Sequence, residues 1–340
     1  MIPRPLAGSE PAPRAAPRWQ HRLRESLSDP AELLALLGLD PALPTLQAGL
    51  AAGFPLRVTR SYVARMRRGD PRDPLFLQVW PRPDEASGEI TRLDAVGDLQ
   101  VSREAGVIHK YQGRVLLIAT GACAIHCRYC FRRHFPYSEQ LAARGQWRAA
   151  LETIASDPAI EEVILSGGDP LSLSDDKLAE LAQSLEAIPH LRRLRLHTRQ
   201  PVVLPERVDE GLLSWLGRGR LATSVVLHIN HAQEIDEDLA AACGRLRAQG
   251  ITLLNQAVLL AGINDSTDAL AALSARLFEV GVLPYYLHLL DRVQGVGHFE
   301  VDERRATGLM RELAARLPGY LVPRLAREVS GEPAKRWIAW

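Results

Sequence analysis

Cys123, Cys127 and Cys130 form a C-x3-C-x2-C run inside G-A-C-A-I-H-C-R-Y-C-F, and they are three of the four cysteines in 340 residues. Three thiolates this close in sequence suit a metal centre. If the centre is a four-iron cluster, three protein ligands leave one iron open to an outside molecule, whereas electron-transfer clusters usually have every iron ligated by protein. An open position is also what separates catalytic from structural zinc sites. The run therefore points to chemistry at the metal. The alternative is a zinc knot completed by His126 or His134, because structural zinc takes four ligands. The remaining cysteine, Cys243, lies in A-A-A-C-G-R-L and reads as a buried small hydrophobe.

The cysteine run follows V-L-L-I-A (residues 115–119), a short apolar stretch that reads as a buried parallel strand. Further apolar runs fall near 162–166, 192–197, 223–229, 252–258 and 284–290, with helical patterns between them. After Asp175, Leu178, Leu181, Leu185 and Ile188 share one helical face. Six βα units in a row predict an α/β fold with a parallel sheet curled into a partial (β/α)6 barrel. Ligands then gather at the C-terminal ends of the strands. The cysteine run sits there after the first strand, and S-G-G-D-P-L sits there after the second. Gly167 and Gly168 would let a backbone edge approach a ligand closely.

Residues 1–17 are rich in Pro and Ala, lack the apolar core of a signal peptide, and are expected to be disordered. Residues 18–94 read as a helical accessory region, with Ser28 capping a helix through D-P-A-E-L-L-A-L-L and a second helix through R-S-Y-V-A-R-M-R-R ending at Gly69. W-P-R-P-D-E reads as loop. Residues 95–340 carry the barrel and the C-terminal segment. A net charge of +1 gives no reason to expect nucleic-acid binding. No apolar run approaches the roughly 20 residues that span a bilayer. Few cysteines and an oxygen-sensitive cluster fit a reducing cytoplasm. Arginines 192, 193, 195 and 199 read as solvated helix and loop charges.

C-R-Y-C-F-R-R, S-G-G-D-P-L, P-Y-Y-L-H-L-L-D, G-Y-L-V-P and G-E-P-A-K occur in this order between Asp94 and Lys335. With them the chain resembles the radical S-adenosylmethionine (SAM) lysine 2,3-aminomutase family. It looks most similar to the shorter members known as EF-P (elongation factor P) β-lysylation protein. The resemblance implies a [4Fe-4S] cluster on the three cysteines, with SAM on the open iron. It also implies pyridoxal 5′-phosphate (PLP) held covalently by Lys335, with Lys110, Tyr111 and Arg114 at its phosphate. Gly167, Gly168, Asp169, His228 and Gln256 match positions near SAM. Arg132 matches the substrate-carboxylate partner, and Asp291 and Glu328 match carboxylates that hold the side-chain ammonium of L-lysine. Glu328 stands where relatives carry aspartate. The implied reaction converts L-lysine to (R)-β-lysine, which a ligase then uses to modify elongation factor P. The one electron required comes from a cellular donor. An aminomutase for another amino acid, a catabolic lysine 2,3-aminomutase, and a non-catalytic Fe–S binding or assembly protein are the alternatives.

Overall fold

A computed structural model describes residues 17–46, 54–86, 90–104, 106–139 and 147–340. All but the last residue of the expected disordered tail lies outside them. Among the described residues, ten strands form one sheet in chain order: β1 (Ser102–Glu104), β2 (Val107–Tyr111), β3 (Arg114–Thr120), β4 (Glu162–Gly167), β5 (Arg193–Thr198), β6 (Ala222–Leu227), β7 (Thr252–Val258), β8 (Leu283–His288), β9 (Arg324–Arg327) and β10 (Arg336–Trp337). Strands β3 to β9 pair in parallel. β1 and β2 add an antiparallel edge beside β3, and β10 closes the other side antiparallel to β9. The six expected strands are β3 to β8. The seventh parallel strand, β9, was not anticipated, because R-L-A-R is too short and too charged to read as a buried strand.

A helix lies between each consecutive pair from β3 to β9, for example Asp175–Glu186 between β4 and β5 and Glu237–Ala248 between β6 and β7. Their apolar stripes cover the outer face of the sheet. Leu178, Leu181 and Leu185 are buried as their spacing predicts, and Ile188 is buried just past the helix end. Side chains along a strand alternate between faces. In β5, Leu194 and Leu196 point outward into this core, while Arg193, Arg195 and His197 line the cavity inside the sheet. Cys243 is fully buried in the outer core.

The N-terminal residues do not form a separate layer. Trp19, Leu33, Tyr62, Phe76 and Trp80 belong to the same apolar cluster as Leu171, Leu196 and Leu325. The helix Pro30–Leu37 is capped by Asp29 rather than Ser28. The Asp29 carboxylate accepts from the Ala31 N–H at 2.9 Å, and proline follows at the first helical position. The expected second helix is shorter than its pattern, covering only Arg60–Val63. Beyond it, the Arg67 N–H donates to Asp73 at 3.0 Å and the Arg65 guanidinium reaches the carbonyls of Val202 and Glu234. Among the described residues, no helix is long and apolar enough to cross a membrane.

Candidate active site

A cavity of about 1050 Å³ runs through the inside of the curled sheet, lined by residues from β2 to β10. Its volume exceeds that of an ordinary single-ligand pocket. At one end, past the C-terminal end of β3, lie Cys123, Cys127 and Cys130. Toward the other lie Lys335, Glu328, Arg114 and Trp337.

The loop carrying the cysteines is fastened on both sides. From the N-terminal region, the carbonyls of Arg57 and Gln78 accept from the N–H groups of His126 and Arg128, each at 2.9 Å. From β4 and the turn after it, the N–H groups of Gly168 and Asp169 donate to Thr120 and Ala122 at 2.7 and 2.8 Å. Gly167 (φ +114°) and Gly168 allow this approach. A Cβ on either would stand 2.6 or 2.5 Å from a carbonyl oxygen of Thr120 or Ala122. The glycine pair thus admits the chain's own loop as well as facing the cavity. Beneath the loop, Glu85 pairs with Arg128 and, at 2.7 Å, with Arg133; the side chains of Glu85 and Arg128 are fully buried. Burial raises the Glu85 carboxyl, but the two guanidiniums outweigh it and hold it below the ordinary range.

Burial, and then the neighbouring thiols, push the Cys123 thiol well up and that of Cys130 to about 11. Such thiols ionise together only against a bound cation. Each of the two candidates for a fourth zinc ligand has one ring nitrogen against a backbone carbonyl. His126 Nδ1 lies 2.8 Å from the Pro55 carbonyl and His134 Nε2 lies 3.2 Å from that of Gln294. Among the described residues, no three His, Cys, Asp or Glu side chains are grouped as a single ion would require.

From Arg132, two residues past Cys130, five charges alternate toward Lys335. Arg132 Nε donates to Asp98 at 2.8 Å, Asp98 meets Lys110 at 2.5 Å, Lys110 meets Glu328 at 2.9 Å, and Glu328 meets Lys335 at 2.5 Å. Burial raises Glu328, but Lys335 and Lys110 overcome it and hold the carboxylate well below its usual range. Asp291 lines the same space. Burial, and next the Glu328 charge, push its carboxyl up to about 7. No helix follows Asp291 at once, so its carboxylate is not used as a cap.

Residues 117–273 match the Radical SAM superfamily. The chain is 49% identical to the L-lysine 2,3-aminomutase of Escherichia coli (strain K12), over 93% of each chain. It is 46% identical to that of Haemophilus influenzae, over 97% of this chain and 98% of the other. Identity to the Clostridium subterminale enzyme of the same name is 30%, over 93% of this chain and 76% of the longer relative. The chain belongs to the radical SAM lysine 2,3-aminomutase family.

The cavity suits the cofactors of this family in its donor set. Three clustered cysteines face it, and Lys335 reaches it from the loop before β10. Four buried nitrogens in its lining, Nε of Arg133, Arg195 and Arg199 and Nε2 of His197, have no hydrogen-bond partner within the protein, as expected of groups that meet a ligand. Tyr111 and Arg114 stand together near the bottom, with the guanidinium 4.6 Å from the ring centroid. Lys110 departs from the phosphate role expected of it. Its three N–H donors go to Asp98, Glu328 and the Val96 carbonyl, which makes it a bridge between carboxylates. Asp169 is likewise engaged internally, its oxygens accepting from Leu171, Thr198, Arg199 and Gln200 at 2.7–3.0 Å. His228 lies 2.9 Å from the Tyr129 hydroxyl, and burial lowers it to about 3, so its imidazole is neutral. Gln256 and Gly167 line the cavity as well.

Two arginines differ from their sequence expectation, and two carboxylates carry no sequence signal. Arg195 and Arg199 are not solvated: Arg195 lines the cavity, paired with Glu162 at 2.8 Å, and Arg199 is 6% exposed. The alternation R-L-R-L-H in β5 was a usable signal, because two outward leucines place Arg195 and His197 inside. Asp98 and Glu85 gave none, since both are set by contacts with residues more than thirty positions away.

Proposed function

We propose that this chain converts L-lysine to (R)-β-lysine, and that the product passes to a ligase that modifies elongation factor P. The observation that carries the reading is the single cavity in which three cysteines, Lys335 and paired carboxylates come together. The near end-to-end match to the E. coli and Haemophilus relatives supports lysine as the substrate. Held at Cys123, Cys127 and Cys130 and at Lys335, the cluster with SAM would supply hydrogen abstraction at carbon, and PLP would supply imine chemistry and a conjugated ring.

The chain's own residues do the rest. Arg132 offers a planar fork for the substrate carboxylate. Asp98 and Ser166 hold that fork at 2.8 and 3.2 Å until it arrives. Lys335 would hold the cofactor through its nitrogen, and Glu328, 2.5 Å from that nitrogen, would offer its carboxylate to the side-chain ammonium of lysine. Asp291 would release its proton to solvent as that ammonium arrives and meet it as a carboxylate. Two carboxylates at this end would repel an acidic side chain, which disfavours glutamate as substrate. Leu116, Ile164, Val226 and Leu254 line the walls and keep water from the reacting carbon.

The test is anaerobic incubation of reconstituted protein with SAM, PLP, dithionite and L-lysine, followed by chiral mass spectrometry. The expected product is (R)-β-lysine. The S enantiomer would remove the link to elongation factor P. No β-lysine from protein that holds both cofactors would remove the substrate assignment.

A further inference from the structure

We infer that Arg199 positions Cys127 and sets how readily a cluster on the three cysteines accepts an electron. The inference rests on the proposed function, since it needs that cluster to be there.

Arg199 follows β5, where the sheet's C-terminal edge meets the cysteine loop. One terminal nitrogen, Nη1, donates to Cys127 Sγ at 2.8 Å and also meets the Tyr129 hydroxyl. The other, Nη2, donates to Gln78 at 2.7 Å, Glu234 at 2.9 Å and the Tyr62 hydroxyl at 3.0 Å. Its backbone N–H donates to buried Asp169 at 2.7 Å. Glu234 is itself fixed, accepting from the N–H groups of Asn230 and His231 at 2.8 and 3.0 Å. The guanidinium is therefore held from several sides, and its aim at the sulfur is not one of several rotamers. A planar fork can satisfy this geometry, whereas an ammonium cannot.

The consequence is electrostatic. Adding an electron makes the cluster and its thiolates more negative. A permanent cation and an N–H donor on one ligand sulfur stabilise that state, because hydrogen bonds to cluster sulfurs raise the reduction potential. The location is buried, so solvent does little to screen the interaction. Two of the groups that aim Arg199, Tyr62 and Gln78, come from the N-terminal region. That region would thus take part in the redox step without touching substrate.

The test compares wild type with Arg199→Gln, Arg199→Lys and Tyr62→Phe, each reconstituted anaerobically with iron and sulfide. Circular dichroism and iron content check folding and loading. Each protein is then titrated with dithionite while the electron paramagnetic resonance signal of the reduced cluster is followed. Arg199→Gln should be harder to reduce by about tenfold in the equilibrium constant, about 59 mV for one electron. Its reduced-cluster spectrum should also be altered. Arg199→Lys should fall between it and wild type, and Tyr62→Phe should shift less, in the same direction. Folded, iron-loaded variants that titrate together with wild type overturn the inference. If Arg199→Gln fails to fold, Tyr62→Phe decides: a downward shift supports the inference and none overturns it. A wild type that assembles no cluster overturns the proposed function, and the inference with it.

Discussion

The two ends of the cavity are built differently. The cysteine end is fixed by backbone: main-chain carbonyls and N–H groups from two directions hold the loop, and a buried carboxylate locks two arginines beneath it. The Lys335 end is fixed by side-chain charges, each paired with the next. Main-chain bonds of this kind cannot be traded for a ligand without unfolding the loop. Ion pairs can be traded, because an incoming carboxylate or ammonium offers the same interaction. The contrast separates a part that must not move from a part that must exchange partners at each turnover.

Four substitutions can break or sharpen this contrast. Lys335→Ala should abolish β-lysine formation, a loss of about 10³-fold or more. It should move the urea-unfolding free energy by no more than about 1 kcal/mol, since its pair is partly solvated. An equally large loss of stability would mean that the charged end is also structural. Glu85→Gln leaves Arg128 without its buried counter-charge, and should destabilise by about 3–5 kcal/mol in the same urea titration. A loss below about 1 kcal/mol would show that the carbonyls alone hold the loop. Glu328→Gln should raise KM for lysine about 10- to 100-fold, or about 1.4 kcal/mol per factor of ten. Because that carboxylate is held well below its usual range by Lys335 and Lys110, the substitution should also lower stability near neutral pH; an unchanged KM in folded protein would remove Glu328 from the substrate contacts.

The smallest effect concerns pH. Asp291 titrates near 7 in the folded protein, against about 3.9 in an unfolded chain. Between those values the folded state holds a proton that the unfolded state lacks, so the contribution of Asp291 to folding stability declines as pH rises through this window. Binding runs the other way, because an ammonium prefers the ionised carboxylate. Apparent lysine affinity should therefore weaken below about pH 7, by at most about tenfold per unit, and level off above it. In Asp291→Asn that dependence should vanish. If it persists, another group is responsible.

Much of the frame was legible because it is local. The six runs that became β3 to β8, and the leucines of Asp175–Glu186, follow from apolar spacing alone. The cysteines, the glycine pair and Lys335 are recognisable because motif chemistry requires neighbours in sequence. What stayed hidden depends on long-range partners. Lys110 reads as a phosphate cation until Asp98 and Glu328 are seen beside it. Arg199 reads as a surface charge until Tyr62, Gln78 and Glu234 enclose it. In the N-terminal region, helical spacing runs on past Val63, but the α-helix stops there and the chain continues in tighter turns, with Met66 N–H donating to the Val63 carbonyl.

The last residues of the chain had no assigned purpose in the sequence, and the fold supplies one. Arg336 and Trp337 pair with β9, the Ile338 N–H donates to Leu325 at 3.0 Å, and the Ile338 side chain enters the core. Lys335 is thus tethered on its far side by a three-residue anchor, with Trp337 laid against Arg324 at 4.7 Å. A chain cut directly after Lys335 would keep every reactive side chain described above and lose the hem that holds one of them in place.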